Sequence, residues 1–157
     1  QTEALGALDE LNSFLGLCKV NAEAAKPLLE GYNFSDMIDW MQQNLFIVQA
    51  AVAGAKKTIA REKVVHMESA IDTMEKQMPP IKTFFISGGT LLAAQFDFAR
   101  TLARRAEREV IRAMEANKIS VSEHTLVYLN RLSSLCYALA RFANFKAGVK
   151  EWPPKYQ

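Results

Sequence analysis

The 157-residue sequence has little of what a crosslinked, metal-centred or membrane-spanning protein needs. Its two cysteines, Cys18 and Cys136, sit inside apolar helical patterns without a CxxC partner or a nearby histidine, which excludes a disulfide framework. They read as buried free thiols of a reducing compartment, the cytoplasm or, in a eukaryote, the mitochondrial matrix. His66 and His124 lie far apart, and neither has a second ligand at helical spacing. No protein-held metal centre is therefore expected, and both histidines read as surface or helix-end residues. No apolar run approaches about 18 uninterrupted residues, so no segment is expected to enter a membrane. A net charge of +2 is too small to suggest a nucleic-acid partner. The opening QTEALGALDELNSF has neither signal-peptide nor transit-peptide character and reads as a helix already under way, with an expectation that residues precede Gln1.

What is present is helical periodicity. No segment sustains the alternation of a strand, whereas five carry apolar residues three and four apart. The first is Leu8, Leu11, Leu15, Cys18 and Ala22, with its end expected near Pro27 and Gly31. The second is Ile38, Met41, Leu45, Val48 and Val52, opened by Ser35 as N-cap and weakened at Gly54. The third, Val64, Met67, Ile71, Met74 and Met78, stops at Pro79 and Pro80. The fourth spans 90–117. The fifth carries Thr125, Leu129, Leu132, Cys136, Leu139 and Ala143, is capped by Ser120 or Ser122, and ends before Gly148 and Pro153. Short connections between such helices predict one all-α domain over residues 1–157, an up-and-down five-helix bundle. A second apolar stripe on the fifth helix, Tyr128, Leu135, Phe142 and Phe145, admits two readings: burial all round within one chain, or contact with further copies.

The fourth segment is the most informative. In FDFARTLARRAEREVIRAME, Arg100, Arg104 and Arg108 recur every fourth residue with Arg105 and Arg112 beside them, and Glu107 and Glu109 answer only part of that charge. Phe96, Ala99, Ala103, Ala106, Val110 and Ala113 form the opposite face, small enough for a neighbouring helix to come close. Just upstream, MPPIKTFFISGGT places Phe84 and Phe85 before a Gly88, Gly89, Thr90 turn into the helix, where backbone amides can approach an anion. Two further groups are polar on otherwise apolar helices: Asp9 and Glu10 with Asn12 and Ser13, and Asn130, Arg131, Ser133 and Ser134 within YLNRLSSL. A buried asparagine at position 130 would have to hydrogen-bond, either to a ligand or to set the bundle register.

Three blocks, EALGALDELNSFLG at 3–16, PPIKTFFISGGTLLAAQFDFARTLARRAEREV at 79–110 and YLNRLSSLCYALAR at 128–141, resemble the PduO-type ATP:cob(I)alamin adenosyltransferases in content, order and spacing. The middle block carries most of the likeness. The resemblance implies a ferritin-like bundle that assembles as a homotrimer with sites between subunits. It also implies adenosyl transfer from ATP to the cobalt of reduced cobalamin or another corrinoid, releasing tripolyphosphate, with Mg2+ on the phosphates. By the same resemblance, Arg100 pairs across the interface with Asp9, Arg104 holds polyphosphate, Glu107 and Asn130 belong to the ATP site, and Phe84 lies beneath the corrin and blocks its lower axial ligand. Arg105 and Arg108 support this set. The family's glycine- and threonine-rich ATP loop, which precedes the first block, is not among these residues. Ser87, Asp97 and Ser134 stand where proline, histidine and aspartate are usual, and Asp97 competes with Asp9 for Arg100. Such chemistry needs no side-chain base, because cobalt(I) is itself the nucleophile and arginines suffice to stabilise the departing polyphosphate. Two other readings stay open: a corrinoid carrier on the same scaffold, and a helical oligomer whose arginine face binds nucleic acid or an acidic protein.

Overall fold

A computed structural model of the chain describes residues 1–24 and 33–156. It contains five helices, α1 (Thr2–Ala22), α2 (Phe34–Val52), α3 (Arg61–Gln77), α4 (Leu91–Glu115) and α5 (Glu123–Lys146), and no strand among the described residues. Pro27 and Gly31, expected to end the first helix, lie outside the described residues. The other boundaries follow local chemistry. The Thr90 hydroxyl accepts from the Ala93 amide at 3.1 Å and the Ser122 hydroxyl from the Thr125 amide at 3.2 Å, so α4 and α5 each begin on a side-chain cap. Ser35 is not the cap of α2. The Asn33 side chain accepts from the Asp36 amide at 2.7 Å and starts the helix two residues earlier, leaving Ser35 in its first turn.

The helix directions follow from which ends meet. Gln42 donates to the Asn12 carbonyl and Gln1 to that of Val52, so α2 runs antiparallel to α1. Glu10 pairs with Arg105 and the Phe14 ring meets Phe98 edge-on at 4.9 Å, so α4 also runs against α1. Asn130 reaches Glu107 and Asn144 reaches Thr90, which sets α5 against α4. Arg131 lies 3.7 Å from Glu68 while Arg141 reaches the Pro79 carbonyl, so α3 and α5 are parallel. The Asn44–Lys63 and Trp40–His66 contacts close the ring between α2 and α3. The result is the up-and-down five-helix bundle that the spacing predicts.

Its interior is the set of apolar stripes. Leu8, Leu11, Leu15, Ile38, Met41, Leu45 and Met67 are buried, and so are Phe96, Ala99, Ala103, Ala106 and Val110 on the non-arginine face of α4. The second stripe of α5 resolves largely within the chain: Tyr128, Leu135 and Phe142 are fully buried here and only Phe145 is exposed. The Tyr128 hydroxyl donates to the Met41 carbonyl at 3.4 Å, which locates that face against α2 rather than another copy. His66 also departs from expectation, being half-buried in mid-α3 with its ring 5.0 Å from that of Trp40; His124 is exposed in the first turn of α5.

Cys18 and Cys136 are buried free thiols. Burial pushes the Cys18 thiol up to about 12, and burial together with the neighbouring Cys18 pushes Cys136 higher still, against the opposing pull of Arg100. Both are therefore protonated and poor nucleophiles at neutral pH.

Two outcomes test this packing. At pH 8 both thiols should resist alkylation in the native chain and react readily in denaturant. Below the ordinary thiol value of 9.0 both folded and unfolded thiols are protonated; above it only the unfolded chain gives up its proton, so melting temperature should fall as pH rises from 9.0 towards about 12. Gly89, at φ +96°, carries its Cα against the Asn144 amide, whose Cγ would lie 2.7 Å from an added Cβ. Gly89→Ala therefore meets backbone strain and a clash at once, and should lower stability by about 2 kcal/mol or more in a thermal melt.

Candidate active site

The α3–α4 connection and the middle of α4 and α5 enclose a cleft of about 800 Å³. One wall is the 81–87 segment, which carries Phe84; α4 supplies Asp97, Arg100 and Arg104, and α5 supplies Ser133, Ser134 and Tyr137. Arg100 and Arg104 reach it together because they are one helical turn apart, and antiparallel packing of α5 sets the Ser133–Tyr137 turn opposite them. Phe84 is 78% exposed, against the general tendency of phenylalanine to be buried, whereas Phe85 is half-buried beneath the Arg141 guanidinium at 5.2 Å from the ring centre. The Phe84 ring thus gives the cleft wall an open apolar surface beside the cationic side chains of α4.

The five guanidiniums of α4 are not equivalent. Arg105 is paired with Glu10 and Arg112 with Glu109 at 2.7 Å. Arg100 has Asp97 at 3.6 Å, too far for a hydrogen bond, and its buried Nε–H finds no acceptor among the described residues. Arg104 and Arg108 are exposed and make no ion pair among the described residues. Of the two, only Arg104 lines the cleft. One full positive charge and one incompletely satisfied one thus face the same cavity as an apolar ring. Such an arrangement can hold a polyanion on one side and a broad, largely apolar ligand on the other.

Glu107 and Asn130, expected in the same site, bond to each other at 2.8 Å across the α4–α5 seam, close to Arg104 along α4 but outside the residues lining the cleft. Asn130 is exposed, so its amide satisfies no buried-polar requirement. Asp9 is exposed on α1 and makes no ion pair within its own chain among the described residues. Its neighbour Glu10 takes Arg105 instead. Within one chain, then, the fold brings Phe84, Arg100 and Arg104 together, pairs Glu107 with Asn130 nearby, and leaves Asp9 apart.

Several residues escaped sequence reasoning. Burial holds the Tyr137 hydroxyl above its ordinary value, partly opposed by Arg141, so it stays protonated and able to donate into the cleft. The buried Asn144 side chain accepts from the Thr90 amide and donates to the Gly88 carbonyl, both at 2.9 Å, and so fixes the Gly-Gly turn that leads into α4. Gly88 takes φ +130° and Gly89 φ +96° there, which accounts for the pair of glycines. The signal was available: Ser133, Tyr137, Arg141 and Asn144 form a polar stripe at spacings of four, four and three through the apolar α5 sequence.

With this geometry established, comparison with known proteins is direct. The cobalamin adenosyltransferase family model matches residues 1–143. The corrinoid adenosyltransferase PduO of Citrobacter freundii is 38% identical over 143 residues, covering 90% of this chain and 42% of that protein. The Bacillus subtilis corrinoid adenosyltransferase is 34% identical over 153 residues, covering 95% of this chain and 77% of that one. Against the PduO proteins of Citrobacter and Salmonella typhimurium the chain spans less than half of the relative's length, 42% and 41%. Among solved structures, a variant PduO-type ATP:corrinoid adenosyltransferase from Lactobacillus reuteri, complexed with cobalamin and ATP, superposes with a TM-score of 0.85 at 28% identity over 98% of this chain and 85% of that one. A five-helix bundle with cationic and aromatic groups on one cleft, matched by the family over most of its length, belongs to the cobalamin adenosyltransferases.

Proposed function

We propose that the protein transfers the adenosyl group of ATP to the cobalt of a reduced corrinoid such as cob(I)alamin, giving the adenosylated corrinoid and tripolyphosphate. The observation that carries this reading is the placement of Arg104, without a carboxylate partner, and Arg100, with an unused buried donor, across one cleft from the exposed Phe84 ring. The cobalt(I) electron pair attacks C5′ of the ribose, the C5′–O bond breaks, and its electrons leave with the tripolyphosphate. No general base is required. Tyr137 is held protonated, both cysteines are buried as thiols, and the one carboxylate lining the cleft, Asp97, lies beside Arg100. The protein instead aligns two substrates and stabilises charge that grows on the leaving group, where a preorganised guanidinium is most effective.

Phe84 is assigned the corrin side of the cleft. An apolar ring beneath the macrocycle occupies the position of a lower axial ligand, and loss of that ligand makes cobalt(II) easier to reduce to the nucleophilic state. Glu107 and Asn130, already joined to each other, are assigned to the nucleotide side along the α4–α5 seam. Magnesium is a different matter: no group of three His, Cys, Asp or Glu side chains able to hold a metal occurs among the described residues, and Asp97 lies beside Arg100. A magnesium ion arriving with ATP takes most of its ligands from phosphate oxygens and water and needs no such cluster, so it is assigned to the nucleotide substrate.

The assembly we assign is a homotrimer, with Asp9 of a neighbouring copy supplying the acceptor that Arg100 lacks. Support comes from the exposure of Asp9 and from apolar side chains left open on α1 and α4, Leu17, Leu91 and Phe98, which are 51%, 65% and 53% exposed. The two buried free thiols fit a reducing compartment, cytoplasm or mitochondrial matrix.

Arg104→Ala should reduce adenosyl transfer by about 10²-fold or more while the mass in solution stays that of the wild type; an unchanged rate overturns the assignment. An anaerobic assay of the full-length protein with Mg–ATP and cob(I)alamin, followed spectrally, supplies the reference, and slow release after one turnover would indicate a carrier. A monomeric mass in solution would remove the site between subunits. Phe84→Ala should lower kcat while leaving KM for ATP within about twofold.

A further inference from the structure

Arg141 is the most deeply buried charged side chain described, with 6% of its side chain exposed, yet it lies outside the cleft-lining set. Three segments converge on it. Its Nε donates to Glu151 Oε2 at 3.1 Å, an Nη donates to the Pro79 carbonyl at 3.2 Å, and its guanidinium plane lies over the Phe85 ring. Pro79 opens the irregular segment that bears Phe84, Phe85 is the residue next to it, and Glu151 belongs to the chain that follows α5. That following chain touches the same segment again: the Ile86 amide donates to the Trp152 carbonyl at 2.9 Å, and the Lys150 ammonium sits 4.2 Å from the centre of the Trp152 ring.

The 79–90 connection has no regular structure of its own, and the nonlocal bonds seen along it have few sources. At its start stands Arg141, in its middle Arg141 again and Trp152, at its end Asn144. Arg141 and Asn144 are three apart on α5 and share a face. Phe84 itself, 78% exposed, has little packing to fix its own direction. Its aim is therefore set by its neighbours, chiefly by Phe85 held against a guanidinium that Glu151 in turn holds in place. A desolvated ion pair serves geometry better than it serves stability, because removing one partner strands the other's charge in a site built for two.

We infer that the Arg141–Glu151 pair, with the Trp152 carbonyl, is a positioning device for the Phe84 wall of the cleft, so that residues 150–152 beyond the last helix tune the corrinoid side of the reaction and not the nucleotide side. The inference rests on the proposed adenosyl transfer for its kinetic consequence, and on geometry alone for its structural one. Neither residue lines the cleft; both act through Phe85 and Ile86.

Glu151→Gln, which keeps size and one acceptor but removes the charge, and Arg141→Lys, which keeps the charge but loses the planar fork, test it in the full-length protein. Amide exchange at Ile86 should accelerate by about tenfold in both, KM for the corrinoid should rise by about tenfold, and KM for ATP should stay within about twofold, as displacement of one wall predicts. Unchanged Ile86 exchange together with an unchanged corrinoid KM in both variants overturns the proposal. So does a parallel rise in both KM values accompanied by a lower melting temperature, which would mark a merely structural pair. Should the wild-type protein show no adenosyl transfer, the functional reading fails by itself, while Ile86 exchange in the two variants still decides whether the clamp exists.

Discussion

Close packing along one face of α4 is the constraint on which the rest depends. Ala93, Ala99, Ala103 and Ala106, all buried, put small side chains between Phe96 and Val110 on the face that α4 turns to its neighbours α1 and α5. Larger residues there would push the helices apart, and overpacking of that kind is itself unfavourable. Because the buried face is fixed, the opposite face is fixed too. Arg100 and Arg104 are presented to the cleft by a rigid element rather than by a loop, which is how a site keeps cations at a set separation when no ligand is bound.

The charges on that face divide by what surrounds them. Exposed pairs such as Arg112 with Glu109 contribute at most about 1 kcal/mol and are screened by salt. They neutralise the ends of the stripe without competing for its centre. The Arg141–Glu151 pair is less screened, and removing Glu151 would strand a guanidinium of which only 6% is exposed. The same protein thus spends little on surface pairing and much on one desolvated contact, and that contact lies where an irregular segment must be held. The two cations left with free hydrogen-bonding capacity at the cleft are those a polyanion could engage at least desolvation cost.

Two kinds of turn chemistry connect these elements. At the entrance to α4, the left-handed Gly88 and Gly89 bring backbone against the Asn144 amide, and the Thr90 cap follows at once. Asn144 therefore couples the last turns of α5 to the first turn of α4, and Arg141, one turn earlier, couples α5 to the segment ahead of it. A functional wall without regular hydrogen bonding is made rigid by side chains from a helix that is itself part of the core.

The bundle, three of its helix boundaries and the burial of both cysteines were legible in the sequence, because a 3.6-residue period and the chemistry of Thr90, Ser122 and the Pro79–Pro80 pair are local properties. The arginine stripe and its alanine backing were legible for the same reason. Tertiary structure decided what locality does not encode: that Tyr128, Leu135 and Phe142 are consumed inside one chain, that His66 packs on Trp40, that Asn33 rather than Ser35 caps α2, and that Glu10 is the partner of Arg105. It also decided which of five similar guanidiniums remain available, since pairing depends on side chains distant along the chain that only the packed helices bring within reach. A sequence fixes the face on which a residue stands; its partner is chosen by the helices that fold against that face.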